Sequence, residues 1–245
     1  MSELDTQADL QRRFGGLERL YGVAGAAAIR VAHVAVVGVG GVGSWAAEAL
    51  ARSGVGEITL IDLDHVAESN INRQIHALSD TVGQAKVQAM RDRIGQIHPR
   101  CTVHGIEEFV EPDNWPQLLP AGVDAVIDAC DAVRAKQAMA AWALRTRSRF
   151  ISVGAAGGKR SAHAVDIDKI LGANVVCRNV CHEIEPPACC VTHCSKVCVF
   201  PILRYASFVP PMVRAAVSLF IFDLPNKETN CKQNKQFWPH LSLQD

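Results

Sequence analysis

Residues 31–44 have the sequence VAHVAVVGVGGVGS, and this stretch decides the predicted fold. The apolar, largely β-branched run at 31–37 is typical of a buried strand, and it ends on Gly38. Gly43 then opens the helix-forming stretch GSWAAEALARS, which stops at Gly54. A strand, a glycine loop and a helix in this order predict the start of a Rossmann-like domain.

The same alternation continues along the chain as far as residue 153. Further strands are predicted at 57–61, 101–106, 125–127 and 150–153, with helices at 83–97 and after Asp131. This order predicts an α/β fold with a doubly wound, mainly parallel sheet, covered by helices on both faces. Ligands are expected at the carboxyl ends of its strands.

Two flanking segments differ in composition and hydrophobic pattern from this domain. Residues 1–30 form a predicted helical arm, because apolar and arginine positions alternate at helical spacing from about Leu10. Residues 31–170 are predicted to form the Rossmann-like domain, and 171–245 an atypical tail that holds seven of the nine cysteines. The tail has no C-x-x-C pair, so zinc held by its Cys and His residues is an alternative with a poor pattern.

Composition excludes several classes of protein. Lys and Arg number 25 and Asp and Glu number 25, so no global charge draws the chain to nucleic acid or anionic lipid. The amino terminus has no signal-peptide pattern, and we expect a cytoplasmic protein. No apolar run approaches the roughly 20 residues of a membrane-spanning helix.

The glycine loop predicts a nucleotide site. Gly38, Gly40 and Gly43 form G-x-G-x-x-G, whose backbone N–H groups can approach phosphates at a helix N-terminus. Asp62 follows the next predicted strand and can accept hydrogen bonds from ribose hydroxyls. This pattern alone also fits a nicotinamide-dependent dehydrogenase, or a tight turn without a ligand.

Three charged residues shift the prediction towards ATP. Arg73 and Lys86 can neutralise the β- and γ-phosphates, and Asp131 can hold Mg²⁺. Each has an ordinary alternative when it is taken singly: Arg73 and Lys86 as surface charges, and Asp131 as the N-cap of the following helix.

Taken together, the motifs resemble the ubiquitin-activating-enzyme-like superfamily, whose bacterial members include the molybdopterin- and thiamine-pathway adenylating enzymes. The matching positions, with the roles that the resemblance implies in binding or activating ATP, are Gly38, Gly40, Gly41, Gly43, Ser44, Asp62, Asp64, Asn70, Arg73, Lys86 and Asp131.

Within the superfamily, RRFGGLERLYG at 12–22, NRQIHALSDTVGQAK at 72–86 and ISVGAAGGK at 151–159 are similar to the tRNA threonylcarbamoyladenosine dehydratase family. The resemblance covers about residues 11–170. It implies Mg-ATP as cofactor, a homodimer, and cyclising dehydration of N6-threonylcarbamoyladenosine in tRNA. It also implies that Arg13 reaches the γ-phosphate in a partner subunit, and that cysteine desulfurase systems supply partners.

The tail departs from that family, and three rival functions remain open. One is activation of a sulfur carrier or a ubiquitin-like protein through a thioester. Another is an NAD-dependent dehydrogenase, although no Tyr-x-x-x-Lys is present. A third is a non-catalytic nucleotide-binding adaptor that lacks the walls needed for tRNA.

Overall fold

The computed structural model describes residues 8–154 and the backbone of two later strands. Its helices are α1 (Leu10–Phe14), α2 (Gly16–Val31), α3 (Gly43–Arg52), α4 (Lys86–Ile97) and α5 (Val133–Thr146), with a 3-10 helix at Glu68–Asn70. Its strands are β1 (His33–Val37), β2 (Glu57–Ile61), β3 (Thr102–Ile106), β4 (Ala125–Asp128), β5 (Arg149–Ser152), β6 (Val165–Asp168) and β7 (Val176–Asn179). Among the helices described, none has both the length and the apolar character required to cross a membrane.

These strands form one sheet in the order β3-β2-β1-β4-β5-β7-β6. β1 pairs in parallel with both β2 and β4, and only β6 with β7 is antiparallel. The chain runs outward from β1 to β3 and then returns to the other side of β1, so the strand order reverses between β1 and β4. Such a reversal opens a crevice at the carboxyl edge of the sheet. The predicted doubly wound, mainly parallel fold is confirmed.

Both faces of the sheet are packed, as the continuous burial of β1 requires. One cluster joins β1 to the helices α3 and α4, and it includes Val34, Val36, Leu50, Met90 and Ile94. The cluster on the opposite face joins β1 to α5 and β5, and it includes Ala35, Val37, Met139 and Phe150. Full burial of each large side chain contributes about 1.5–3 kcal/mol, which fixes the helices around the crevice.

The predicted helix at 83–97 begins three residues later than expected. Gly83 has a φ of 89°, which lies outside the right-handed helical region. The carbonyl of Gln84 accepts a 2.8 Å hydrogen bond from Val66 N–H, so this segment pairs with the loop after β2 instead. The first helical residue is therefore Lys86.

The amino-terminal arm is helical as predicted, but it is not one helix. Gly15 separates α1 from α2, and Gly22 interrupts α2 with a φ of 72°. Phe14 is buried, and its ring centroid lies 4.7 Å from that of His98, just beyond α4. The arm is therefore anchored against the carboxyl end of α4.

Of the predicted tail, the structure describes only the backbone of β7. β7 lies beyond residue 170 and joins the sheet through the Ser152–Val176 pair. The predicted boundaries at 30 and 170 stay predictions. The side chains of the Cys and His residues considered for zinc in the tail lie outside the described residues.

Candidate nucleotide-binding site

Two glycines of the loop after β1 are required by the packing of the chain itself. Gly38 has a φ of 84°, and a Cβ there would lie 2.8 Å from backbone atoms of Cys130. A Cβ on Gly43 would lie only 1.7 Å from the carbonyl oxygen of Gly38. The first glycine thus permits the tight turn, and the last permits close approach of helix and strand.

The other two glycines of the loop have room around them. A Cβ on Gly40 would meet nothing nearer than Gln74 Nε2 at 3.9 Å, and one on Gly41 would lie 3.4 Å from Cγ of the flexible Arg73. Val42 is the N-cap of α3 and provides no side-chain capping bond. Free N–H groups at a helix N-terminus, next to glycines that the fold does not require, fit a phosphate.

We expect Gly40→Ala to fold normally but to bind ATP about 10- to 100-fold more weakly, the loss of one hydrogen bond to a charged group. Isothermal titration of ATP and thermal melting without ligand check both parts. Gly43→Ala is the contrasting variant, because its clash with the backbone should lower the melting temperature itself. Unchanged ATP affinity of Gly40→Ala would remove Gly40 from the site.

The two aspartates after β2 hold different parts of the site. Asp62 is 8% exposed, and its Oδ2 and Oδ1 accept hydrogen bonds from Val39 N–H at 2.6 Å and Asp64 N–H at 2.9 Å. Asp62 therefore braces the glycine loop, while its predicted contact with ribose stays a prediction. Asp64 Oδ2 lies 2.6 Å from Lys86 Nζ, and this pair places a buried ammonium beside the crevice.

The segment after the 3-10 helix lies against the glycine loop. Asn70 Oδ1 accepts from Ala67 N–H at 3.0 Å, which stabilises the turn. Arg73 lies beside Gly41, and its Nη1 donates to the Ser69 carbonyl at 2.6 Å.

A second contact ties this segment to α3. The hydroxyl of Ser44, which is fully buried, accepts from Ile75 N–H at 3.4 Å. These contacts hold a guanidinium at the loop.

Asp131 follows β4 on the other side of the crevice. It is exposed, and within the described residues it makes no hydrogen bond or ion pair. The N-cap of α5 is Ala132, and it has no side-chain capping bond. The alternative in which Asp131 caps the helix is therefore wrong, and its carboxylate is available to a ligand.

Asp128, at the end of β4, was not predicted to contribute to the site. It is fully buried, and both of its carboxylate oxygens lie 2.9 Å from Lys136 Nζ. Lys136 also donates to the Val153 carbonyl at 2.8 Å, and Ser152 Oγ donates to Asp128 at 2.5 Å. The bonds join β4, α5 and β5 beneath the loop that carries Asp131.

Cys130 lies between the two aspartates and is held as a thiol. Its Sγ donates to Asp128 Oδ1 at 3.1 Å. Burial, reinforced by the Asp128 carboxylate, raises the pKa of Cys130 to about 12. Burial likewise raises the pKa of Cys101 to about 12. Neither of these two cysteines is a thiolate nucleophile at neutral pH.

Arg13 is not brought to the crevice within one chain. Its Nη1 donates to the Ile97 carbonyl at 2.6 Å and to the Gln96 carbonyl at 3.4 Å, at the end of α4 opposite Lys86. A helix of this length separates its two ends by about 16 Å. Arg13 lines a separate cleft of about 680 Å³ that does not include the glycine loop.

His76 lines the same cleft and is almost completely buried. Within the part of the chain that the structure describes, neither ring nitrogen has a hydrogen-bond partner. Burial, with smaller contributions from the charges of Lys86 and Arg93, lowers the pKa of His76 to about 4. The imidazole is therefore neutral in the folded protein at neutral pH.

This shift predicts acid destabilisation. Between pH 6.5 and 4 the unfolded chain protonates His76 and the folded chain does not, so stability falls as pH falls through this window. The full loss is about 3 kcal/mol. Urea unfolding at several pH values should show a smaller loss for His76→Gln, which cannot titrate. Identical pH slopes in the two proteins would contradict this prediction.

A model of the ThiF family matches residues 12–199, which is most of the chain. The chain belongs to the ThiF family. Family membership agrees with the glycine loop and its charged neighbours being a candidate nucleotide site at the switch point.

Several relatives within the ThiF family share a name. The chain is 52% identical over 149 residues to a tRNA threonylcarbamoyladenosine dehydratase of Escherichia coli, covering 61% of this chain and 56% of that protein. It is 46% identical over 157 residues to the protein of the same name from Haemophilus influenzae, covering 64% and 60%. The chain thus spans little more than half the length of these two relatives.

A solved structure of the Escherichia coli dehydratase in complex with ATP superposes on this chain. The TM-score is 0.64 and the sequence identity 49%, and the match covers 66% of this chain and 67% of that one. A more distant relative is the molybdopterin-synthase adenylyltransferase of Salmonella typhimurium, 36% identical over 62% of this chain. The resemblance to adenylating enzymes predicted from the motifs is therefore confirmed.

Proposed function

We propose that this ThiF-family chain uses Mg-ATP to activate the threonyl carboxylate of N6-threonylcarbamoyladenosine in tRNA, and cyclises it with loss of water. The observation that carries this proposal is the arrangement of charges at the strand switch point. Arg73 lies beside Gly41 and Lys86 beside Asp64. Asp131, which makes no hydrogen bond or ion pair within the described residues, lies across the crevice. Relatives 46–52% identical that are named as this dehydratase support the choice of substrate.

The proposed reaction has two steps. An oxygen of the substrate carboxylate forms a bond to the α-phosphorus of ATP, and pyrophosphate leaves with the electrons of the bond that breaks. A nucleophile of the same nucleoside then attacks the activated carbonyl, loses its proton, and AMP leaves. Overall the nucleoside loses one water, and ATP becomes AMP and pyrophosphate.

The chain's part in this chemistry is positioning and charge stabilisation. Gly40 and Gly41 admit the phosphates to the N-terminus of α3, and Arg73 and Lys86 stabilise the negative charge that accumulates on pyrophosphate. Asp131 would hold Mg²⁺, which supplies further positive charge at the phosphates.

The residues that brace the loop complete the proposed ATP site. We expect Asp62 to bind the ribose and Asp64 to bind either the ribose or the metal, because both follow β2 at the carboxyl edge of the sheet. Ser44 and Asn70 keep the surrounding loops in place.

We also propose a homodimer in which Arg13 acts on ATP bound by the partner subunit. The geometry within one chain supports action across an interface, because Arg13 lies at the end of α4 opposite Lys86. Its present contacts are also structural, since a cation at a helix C-terminus stabilises the last carbonyls.

Activation of a sulfur carrier is the second candidate, and the molybdopterin-synthase relative favours it. A thioester route requires a reactive thiolate. Cys101 and Cys130, the two cysteines whose side chains are described, both have a raised pKa. Neither of these two cysteines provides that thiolate. The dehydratase function is preferred because identity to the relative of that name, 52%, exceeds the 36% to the molybdopterin-synthase adenylyltransferase.

The deciding experiment is mass spectrometry of nucleosides from tRNA that carries threonylcarbamoyladenosine, incubated with the full chain and Mg-ATP. The expected product is lighter by one water and does not form without ATP or with Arg73→Ala. An unchanged nucleoside, together with a thiol-sensitive covalent adduct on an added carrier protein, would favour the second candidate.

A further inference from the structure

Three side chains with metal-binding atoms meet at the edge of the sheet opposite the nucleotide site. His33 is the first residue of β1, Glu57 is the first of β2, and His104 lies in β3. His33 pairs with Glu57 in register, and His104 pairs with Thr59, two residues after Glu57. Because side chains alternate along a strand, the three project from the same face of the sheet.

Their ligating atoms are close enough to share one ion. Glu57 Oε1 lies 3.5 Å from His33 Nδ1 and 2.7 Å from His104 Nε2. One donor atom from each of the three side chains can be chosen so that all lie within 4.8 Å of one another. Ligands about 2.0–2.1 Å from a tetrahedral zinc ion lie about 3.4 Å apart, and the two observed separations from Glu57 Oε1 lie on either side of this spacing.

The buried histidine is already oriented for ligation. His33 is 4% exposed, and its Nε2 lies 2.8 Å from the hydroxyl oxygen of Thr59. With the proton on Nε2 donated to Thr59, the lone pair of Nδ1 faces Glu57, as when an outer hydrogen bond fixes the tautomer of a metal ligand.

The surroundings add negative charge and access. Asp124 Oδ2 accepts a 2.9 Å hydrogen bond from the backbone N–H of His33, which brings a second carboxylate near the cluster. The side chains of Glu57 and His104 are 39% and 41% exposed, so an ion can enter from solvent and keep a water ligand.

We propose that His33, Glu57 and His104 form a Zn²⁺ site that links the first residues of β1 and β2 to the middle of the edge strand β3. Two imidazoles and one carboxylate are a donor set that zinc accepts, with water completing four-fold coordination. The site is independent of the nucleotide site, which lies at the carboxyl ends of the strands. Bound zinc stabilises the folded chain because the unfolded chain does not hold the three ligands together.

The test compares the full chain with two variants after removal of metal by a chelator. Zinc is titrated in competition with a chromophoric chelator, and melting temperature is recorded with and without zinc. We expect wild type to bind one more equivalent than either His104→Gln or Glu57→Gln, and to melt several degrees higher with zinc than without it. His65→Gln, which removes an exposed histidine outside the cluster, should behave as wild type.

Cobalt separates this site from any zinc held by the cysteine-rich tail. Thiolate ligands give Co²⁺ a strong near-ultraviolet absorption band that nitrogen and oxygen ligands do not give. His104→Gln and Glu57→Gln should each bind one metal ion fewer per chain than wild type, and the thiolate band of bound Co²⁺ should be unchanged. Equal zinc stoichiometry and equal melting shifts in wild type and both variants would overturn the proposal, as would loss of the thiolate band together with the equivalent.

Discussion

Asp131→Asn is expected to lower substrate-dependent pyrophosphate release by about 10²–10³-fold, the usual cost of removing one transition-state stabilising group. The substitution keeps the size of the side chain and removes the charge that the proposed Mg²⁺ site requires. Asp131 is exposed and does not cap α5, so the melting temperature without ligand should stay unchanged. Steady-state pyrophosphate release at limiting Mg²⁺ and thermal melting measure the two effects.

The matched control is Asp113→Asn, which removes an exposed carboxylate from the connection between β3 and β4. It should leave both measurements at wild-type values. Turnover of Asp131→Asn close to wild type at limiting Mg²⁺ would take Asp131 out of the metal site. A large fall in its melting temperature would show instead that the residue has a structural role.

Asp128→Ala is expected to destabilise the fold by about 3–5 kcal/mol, because it leaves the buried ammonium of Lys136 without its counter-charge. The Ser152 hydroxyl and the Cys130 thiol lose an acceptor in the same change. Urea unfolding of the full chain, followed by circular dichroism, measures the free energy of unfolding.

A double-mutant cycle separates the pair from its surroundings. Lys136→Met alone leaves the buried Asp128 carboxylate without its counter-charge and should also be strongly destabilising. Combining Asp128→Ala with Lys136→Met removes both charges, so the double variant should lose much less than the sum of the single losses. Additive losses would mean that the ion pair does not couple the two residues.

The parts of the site that directly follow a predicted strand were predictable. The glycine loop, Asp62 after β2 and Asp131 after β4 all follow apolar runs that end in polar or glycine residues, and the fold places such positions at one edge. The helix start at Lys86 was not predicted, because the positive φ of Gly83 and the pairing of residue 85 with His65 depend on a contact between distant segments.

The parts that depend on contacts across the fold gave no signal in the sequence. Asp128 and Lys136 stand on a strand and a helix, and only the packing of α5 on β4 makes them a pair. The meeting of His33 and His104 depends on the register of three strands. The role of Arg13 towards a partner subunit was predicted from a resemblance and stays a prediction, while within one chain Arg13 contacts the end of α4.

The four glycines of the loop are under two different physical constraints. A Cβ on Gly38 or Gly43 would clash with neighbouring backbone atoms, so any descendant gene that still encodes this fold must retain both glycines. Gly40 and Gly41 have space for a Cβ, so the constraint on them comes from the proposed nucleotide and not from the fold. A lineage that kept the fold but abandoned catalysis would accumulate changes at the second pair of codons while the first pair stayed fixed. Substitutions at Gly40 and Gly41 would therefore mark loss of the reaction, and substitutions at Gly38 and Gly43 would mark loss of the fold.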